Sequence, residues 1–106
     1  MMSKTLAETL EIEQGSPARI LLADDDPRLL ESLYGLLRLY RYDVDTALGG
    51  REALELLQRN PYDLILLDLR MPEISGHDVM QFMTEHHITT MTVVVSGETS
   101  IDDISR

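Results

Sequence analysis

Asp63-Leu64-Ile65-Leu66-Leu67-Asp68-Leu69-Arg70-Met71-Pro72 decides how this chain is read. Four apolar residues run between two aspartates, with Pro61 before them and Pro72 after. A short apolar run between turn signals predicts a strand buried on both faces, and it is too brief for a buried helix. Asp68 falls where that strand should end. In an open parallel sheet, ligands bind outside the carboxyl ends of the strands, so a carboxylate there is a candidate site residue. On this strand alone, a solvated or turn-capping aspartate is an equally good reading.

Upstream, residues 19–23 form a second apolar run that ends at Asp24-Asp25-Asp26-Pro27. Asp26 suits a helix N-cap and Pro27 the first helical position. Leu29, Leu30, Leu33, Leu36, Leu37 and Tyr40 follow at helical spacing and are read as one core-facing stripe. Residues 42–47 alternate, which predicts a short strand with Val44 and Ala47 inward. Leu48-Gly49-Gly50 reads as a turn. Residues 52–59 read as a helix with Ala53, Leu56 and Leu57 on one face, stopped by Asn60-Pro61.

Downstream, Pro72 to Gly76 reads as a loop. Residues 77–87 read as a helix with Val79, Phe82, Met83 and one of His86 or His87 on its inner side. After a turn at Thr89-Thr90, residues 91–95 predict a buried, β-branched fourth strand ending at Ser96-Gly97. Residues 99–106 look like the start of another helix, with Thr99 as its cap. Strands alternating with helices imply right-handed crossovers and an α/β fold with a doubly wound parallel sheet. Residues 1–17 stand apart as a flexible leader closed off by Gly15-Ser16-Pro17. Residues 18–106 form the domain.

Composition narrows the function classes. A chain of 106 residues holds one domain. It is 43% hydrophobic and 26% charged, ordinary values for a soluble globular protein. Cysteine is absent, which removes disulfides, thiolate metal sites and cysteine nucleophiles and agrees with a reducing, cytoplasmic setting. No apolar stretch is long enough to span a bilayer. The net charge of −10 repels nucleic-acid phosphates, so metal cations and basic protein surfaces are the expected partners.

Three strand ends then carry polar groups: Asp24, Asp25 and Asp26, then Asp68, then Ser96. In a 2-1-3-4 sheet the first and third strands are neighbours and the switch point lies between them. Asp24, Asp25 and Asp68 would share that crevice. Carboxylates held close call for a neutralising cation, and an all-oxygen donor set favours a hard one, with Mg²⁺ leading. Asp68 could then act as a carboxylate nucleophile toward a phosphoryl group, and Ser96 could donate a hydrogen bond to the transferred oxygens.

With these pieces in place, the sequence resembles the response-regulator receiver domain of two-component signalling. The resemblance rests on residues 20–27, on residues 63–72 with Gly76, and on residues 93–97. It implies a flavodoxin-like sheet in which Asp68 accepts a phosphoryl group from a sensor histidine kinase or phosphotransfer protein. It also implies that Asp25, Asp68 and the backbone carbonyl of Arg70 ligate Mg²⁺, with Asp24 acting through water. Ser96 would be the switch hydroxyl, and Pro72 and Gly76 would shape the neighbouring loop. Arg70 and Glu98 would flank the mouth of the site. Such a domain is a switch for a downstream output rather than an enzyme, with at most self-phosphorylation and autodephosphorylation.

The chain departs from that family in one respect. A fifth strand, its lysine and switch aromatic, and a fifth helix are missing, and the only lysine is Lys4 in the leader. The expectation is therefore a C-terminally truncated receiver, with an output domain in the parent chain. Its fourth strand would be an exposed edge open to self-association. A phosphorylation-independent interaction module is the alternative. A different metal-dependent phosphoryl-transfer enzyme or flavodoxin-like cofactor binder lacks a second acid two residues after Asp68 and a phosphate-cradling loop. The three histidines lack metal-ligand spacing, and Gly49-Gly50 lacks the phosphate-loop pattern.

Overall fold

The computed structural model describes residues 17–95. Its elements are β1 (Arg19–Asp24), α1 (Pro27–Leu39), β2 (Asp43–Leu48), α2 (Gly50–Arg59), β3 (Leu64–Leu67), α3 (Gly76–Glu85) and β4 (Met91–Val94). The strands form one parallel sheet in the order β2-β1-β3-β4. The expected leader through residue 16, the helix start at 99–106 and Ser96 lie outside the described residues.

The sheet divides the core in two. Leu21, Ala23, Ala47, Ile65 and Leu67 pack with Ala53, Leu57, Val79 and Met83 from α2 and α3. On the other face Ile20, Leu22, Val44 and Leu64 pack with Leu30 of α1. Val44 and Ala47 are both inward, as expected, but on opposite faces. Leu21, Leu22, Ile65 and Leu67 are among the largest fully buried side chains. Burying such a residue contributes roughly 1.5–3 kcal/mol, which is why two apolar runs suffice to fix the sheet's centre.

Local signals set the helix ends. Asp26 caps α1 as expected, accepting from the Arg28 N–H at 2.9 Å, with Pro27 at the first position. Helix α2 starts two residues earlier than expected, because Gly49 takes φ 94° and turns the chain so that Gly50 is already helical. Helix α3 likewise begins at Gly76. Ser75 and Asp78 form a reciprocal capping box there, a signal the sequence reading passed over.

Three burial expectations need correction. Leu36 and Tyr40 are exposed, and only Leu30 of the α1 stripe is fully buried. Helix α1 alone covers its face among the described residues, so a stripe wider than one helix–sheet contact reaches solvent. Strand β4 is not buried: Met91, Val93 and Val94 are 47%, 37% and 46% exposed. Among the described residues it pairs only with β3, in the edge position expected for it. His86 and His87 are both exposed, because α3 ends at Glu85 and His87 takes φ 55°. His86 instead stacks on Phe82 at 3.9 Å between ring centroids.

The amino end of the sheet is tied by charge. Arg19 meets Asp43 at 3.2 Å and Asp45 at 3.4 Å, donates to the Pro61 carbonyl and lies over the Tyr62 ring. The buried Tyr62 hydroxyl donates to Asp45 at 2.6 Å. Burial, reinforced by Asp45, pushes the Tyr62 phenol well above its ordinary range, so it stays protonated at neutral pH. Tyr62→Phe is expected to lose about 1–2 kcal/mol in urea denaturation, since Asp45 keeps Arg19 as a partner. A loss as large as that of a core leucine truncation would contradict this assignment.

Candidate functional site

The carboxyl ends of β1 and β3 lie side by side, with Ala23 opposite Leu67. The residues that follow them are therefore brought together. One carboxylate oxygen from each of Asp24, Asp25 and Asp68 lies within 4.8 Å of the others. Asp24 and Asp68 are buried, at 6% and 3% exposure, while Asp25 is open to solvent. The crevice inferred from the sequence exists, and it contains the three acids expected in it. Asp26 turns away to cap α1.

Backbone bonds fix this arrangement. The Asp68 N–H donates to the Ala23 carbonyl at 2.9 Å, which joins the two strand ends. The Asp26 N–H donates to Asp24 Oδ1 at 2.9 Å, and the Arg70 N–H to Asp68 Oδ1 at 3.1 Å. The Gly76 N–H returns to the Leu69 carbonyl at 3.0 Å and closes the loop after Asp68. Gly76 has a steric reason to be glycine. A Cβ there would lie 2.7 Å from Leu69 Cα and closer still to the Asp68 carbonyl oxygen. The buried Met71 side chain holds the loop's midpoint in the core.

The electrostatics favour a cation. Two full charges at the spacing of Asp24 and Asp68 repel by about 3 kcal/mol at the effective dielectric of a protein site. Burial pushes the Asp24 carboxyl above its ordinary range; the charges of Asp68 and Asp25 add to the rise, and the Asp26 N–H opposes it. Two buried oxygen donors with a third open to solvent fit a hard divalent ion, which carries the opposite charge and keeps part of its water shell. Ser96 and Glu98 lie outside the described residues. The sequence reading missed the close contact of Gly50 with Ile74 of the loop. The Gly49-Gly50 doublet was the available signal, read only as a turn.

An acidic crevice at the switch point of a 2-1-3-4 parallel sheet marks a flavodoxin-like α/β domain with its ligand position at the carboxyl ends of the strands. The family model of the response regulator receiver domain matches residues 20–106, and the chain belongs to that family, as a receiver domain of two-component response regulators. It is 36% identical over 87 residues to response regulator protein PilR of Pseudomonas aeruginosa, covering 82% of this chain and 20% of that protein. It is 33% identical over 88 residues to cell cycle response regulator CtrA of Brucella ovis, covering 83% of this chain and 38% of that protein. The chain thus spans well under half the length of these curated relatives.

Solved structures agree. The Francisella response regulator 1452 receiver domain aligns with a TM-score of 0.73 at 28% identity, over 81% of this chain and 71% of that one. Response regulator TrrA of Thermotoga maritima, in complex with Mg²⁺-BeF, aligns with a TM-score of 0.72 at 34% identity, over 77% and 71%. Among the described residues, no helix is long and apolar enough to cross a membrane.

Proposed function

We propose that this chain is a phosphoacceptor switch in which Asp68 takes a phosphoryl group from a phosphohistidine on a sensor histidine kinase or phosphotransfer protein. The carrying observation is the convergence of Asp24, Asp25 and Asp68 within 4.8 Å at the carboxyl ends of β1 and β3. Asp25, Asp68 and the Arg70 backbone carbonyl are the proposed ligands of Mg²⁺, with Asp24 acting through water. The TrrA complex with Mg²⁺-BeF supports this choice of ion. Bound there, the ion would neutralise the phosphoryl oxygens.

The chain's own residues supply the rest. An Asp68 carboxylate oxygen attacks phosphorus, the P–N bond of the phosphohistidine breaks, and the imidazole leaves with the electron pair. The product is an acyl phosphate on Asp68, and water later hydrolyses it to restore the carboxylate. The Arg70 N–H to Asp68 Oδ1 bond orients the nucleophile. The Ser96 hydroxyl is proposed to donate to the transferred oxygens and relay the change to an output domain. A cytoplasmic location and a switch rather than turnover enzymology belong to the same reading.

Intact-mass measurement after incubation with a small acyl phosphate tests this reading. One added phosphoryl group is expected with Mg²⁺ and none with a chelator. No uptake by a folded chain would overturn it and favour a phosphorylation-independent interaction module. Self-association is proposed as well, through the β4 edge, whose Met91, Val93 and Val94 are exposed. Sedimentation should show a concentration-dependent dimer that Val93→Lys abolishes. A monomer at every concentration would refute the edge contact.

A further inference from the structure

The two adjacent glycines before and at the start of α2 are there for different reasons. Gly49 has φ 94° and open space where a Cβ would sit, so its need is conformational. Gly50 has no positive φ, and any residue could adopt its backbone. Its need is contact: a Cβ would lie 2.7 Å from Ile74 Cβ and Cγ2 and closer still to the Ile74 carbonyl oxygen. The start of α2 therefore abuts the loop that runs from Asp68 to Gly76. The same shoulder reaches the other half of the site, because the Gly49 N–H donates to the Asp24 carbonyl at 3.0 Å.

We infer that the Gly49-Gly50 shoulder sets the spacing between the Asp24–Asp25 pair and the Asp68–Arg70 loop, and that Gly50 is a positioning residue for the cation site. This rests on the metal-site reading above. The loop has little freedom to absorb a push at Ile74. Its far end is pinned by the close approach of Gly76 to Asp68 and Leu69, its middle by buried Met71, and the Ile74 N–H is bonded to the Pro72 carbonyl at 2.8 Å. A displacement at Ile74 is therefore passed back toward Arg70. The Arg51–Glu73 pair at 3.3 Å bridges the same two segments, but both side chains are more than 70% exposed, so it adds little.

Calorimetric Mg²⁺ titration of the full chain, with amide hydrogen exchange of residues 70–76 in the metal-free state, tests the inference. Gly50→Ala should weaken Mg²⁺ binding by about tenfold or more, as changes that disturb ligand orientation do. It should also speed exchange at Ile74 and Gly76. Ile74→Ala loosens the same contact from the loop side, should weaken binding in the same direction, and decides the matter if Gly50→Ala does not fold. Tyr62→Phe, which lowers stability at the opposite end of the sheet, should leave Mg²⁺ affinity unchanged. If the native chain binds Mg²⁺ and both loop-contact variants bind it equally well, the inference is wrong. If the native chain binds none, the metal-site reading fails and the inference with it.

Discussion

Asp68→Asn is expected to abolish phosphoryl uptake from a small acyl phosphate while leaving the chain folded. An amide lacks the carboxylate's nucleophilic oxygen, so uptake should fall by at least about two orders of magnitude. The fold should survive because the backbone bonds of Asp68 are kept in the variant. Its N–H still donates to the Ala23 carbonyl, and an asparagine Oδ1 can still accept from the Arg70 N–H. Removing one buried charge from the cluster should keep or raise the melting temperature. Intact mass and thermal denaturation on one sample separate the two effects. Uptake that persists in the folded variant would move the acceptor elsewhere.

Asp24→Asn should trade function for stability. The carboxyl of Asp24 is raised first by burial and then by the charges of Asp68 and Asp25. A raised carboxyl binds more protons in the folded chain than in the unfolded one, between its ordinary range and its raised value. The metal-free fold therefore loses stability at this group as pH rises through that window, and the penalty is fully present above it. Asparagine removes the penalty and can keep the Asp26 N–H bond through Oδ1. The variant should gain about 1 kcal/mol at neutral pH without metal, the usual direction when a strained site is neutralised. That gain should shrink in acid. Mg²⁺ affinity should drop by about tenfold or more, as loss of an outer-shell partner does. Paired melting curves across pH, with and without Mg²⁺, check both halves. A variant less stable than the native chain at neutral pH would contradict the electrostatic account.

The parts of the fold legible in the sequence were those where local pattern and burial agree. Leu64–Leu67 is a strand at the bounds that its flanking aspartates mark, and β1 ends at the expected acids. The Asp24–Asp25–Asp68 crevice followed from those two ends once the strand order was inferred. Tertiary surroundings decided what was misread. Residues 91–95 have the composition of a buried strand, and their exposure among the described residues follows from the edge position expected for this strand, not from its side-chain pattern. The α1 stripe is continuous in sequence, but one sheet contact covers only part of it. Gly50 looks like a turn residue because its constraint comes from Ile74, far along the chain. The Arg19–Asp45–Tyr62 network joins β1, β2 and the segment before β3, and each of its pairs forms only once the chain segments are brought together.

The claim that this crevice makes Asp68 a phosphoacceptor is tested most directly by locating the modification. Borohydride reduces an aspartyl phosphate to homoserine, so the chain treated with acyl phosphate and Mg²⁺ can be reduced, digested and mapped by peptide mass. Homoserine at position 68, dependent on Mg²⁺, is the predicted result. Homoserine at Asp24 or Asp25, or a phosphoryl group that resists reduction and maps to another residue type, would contradict it.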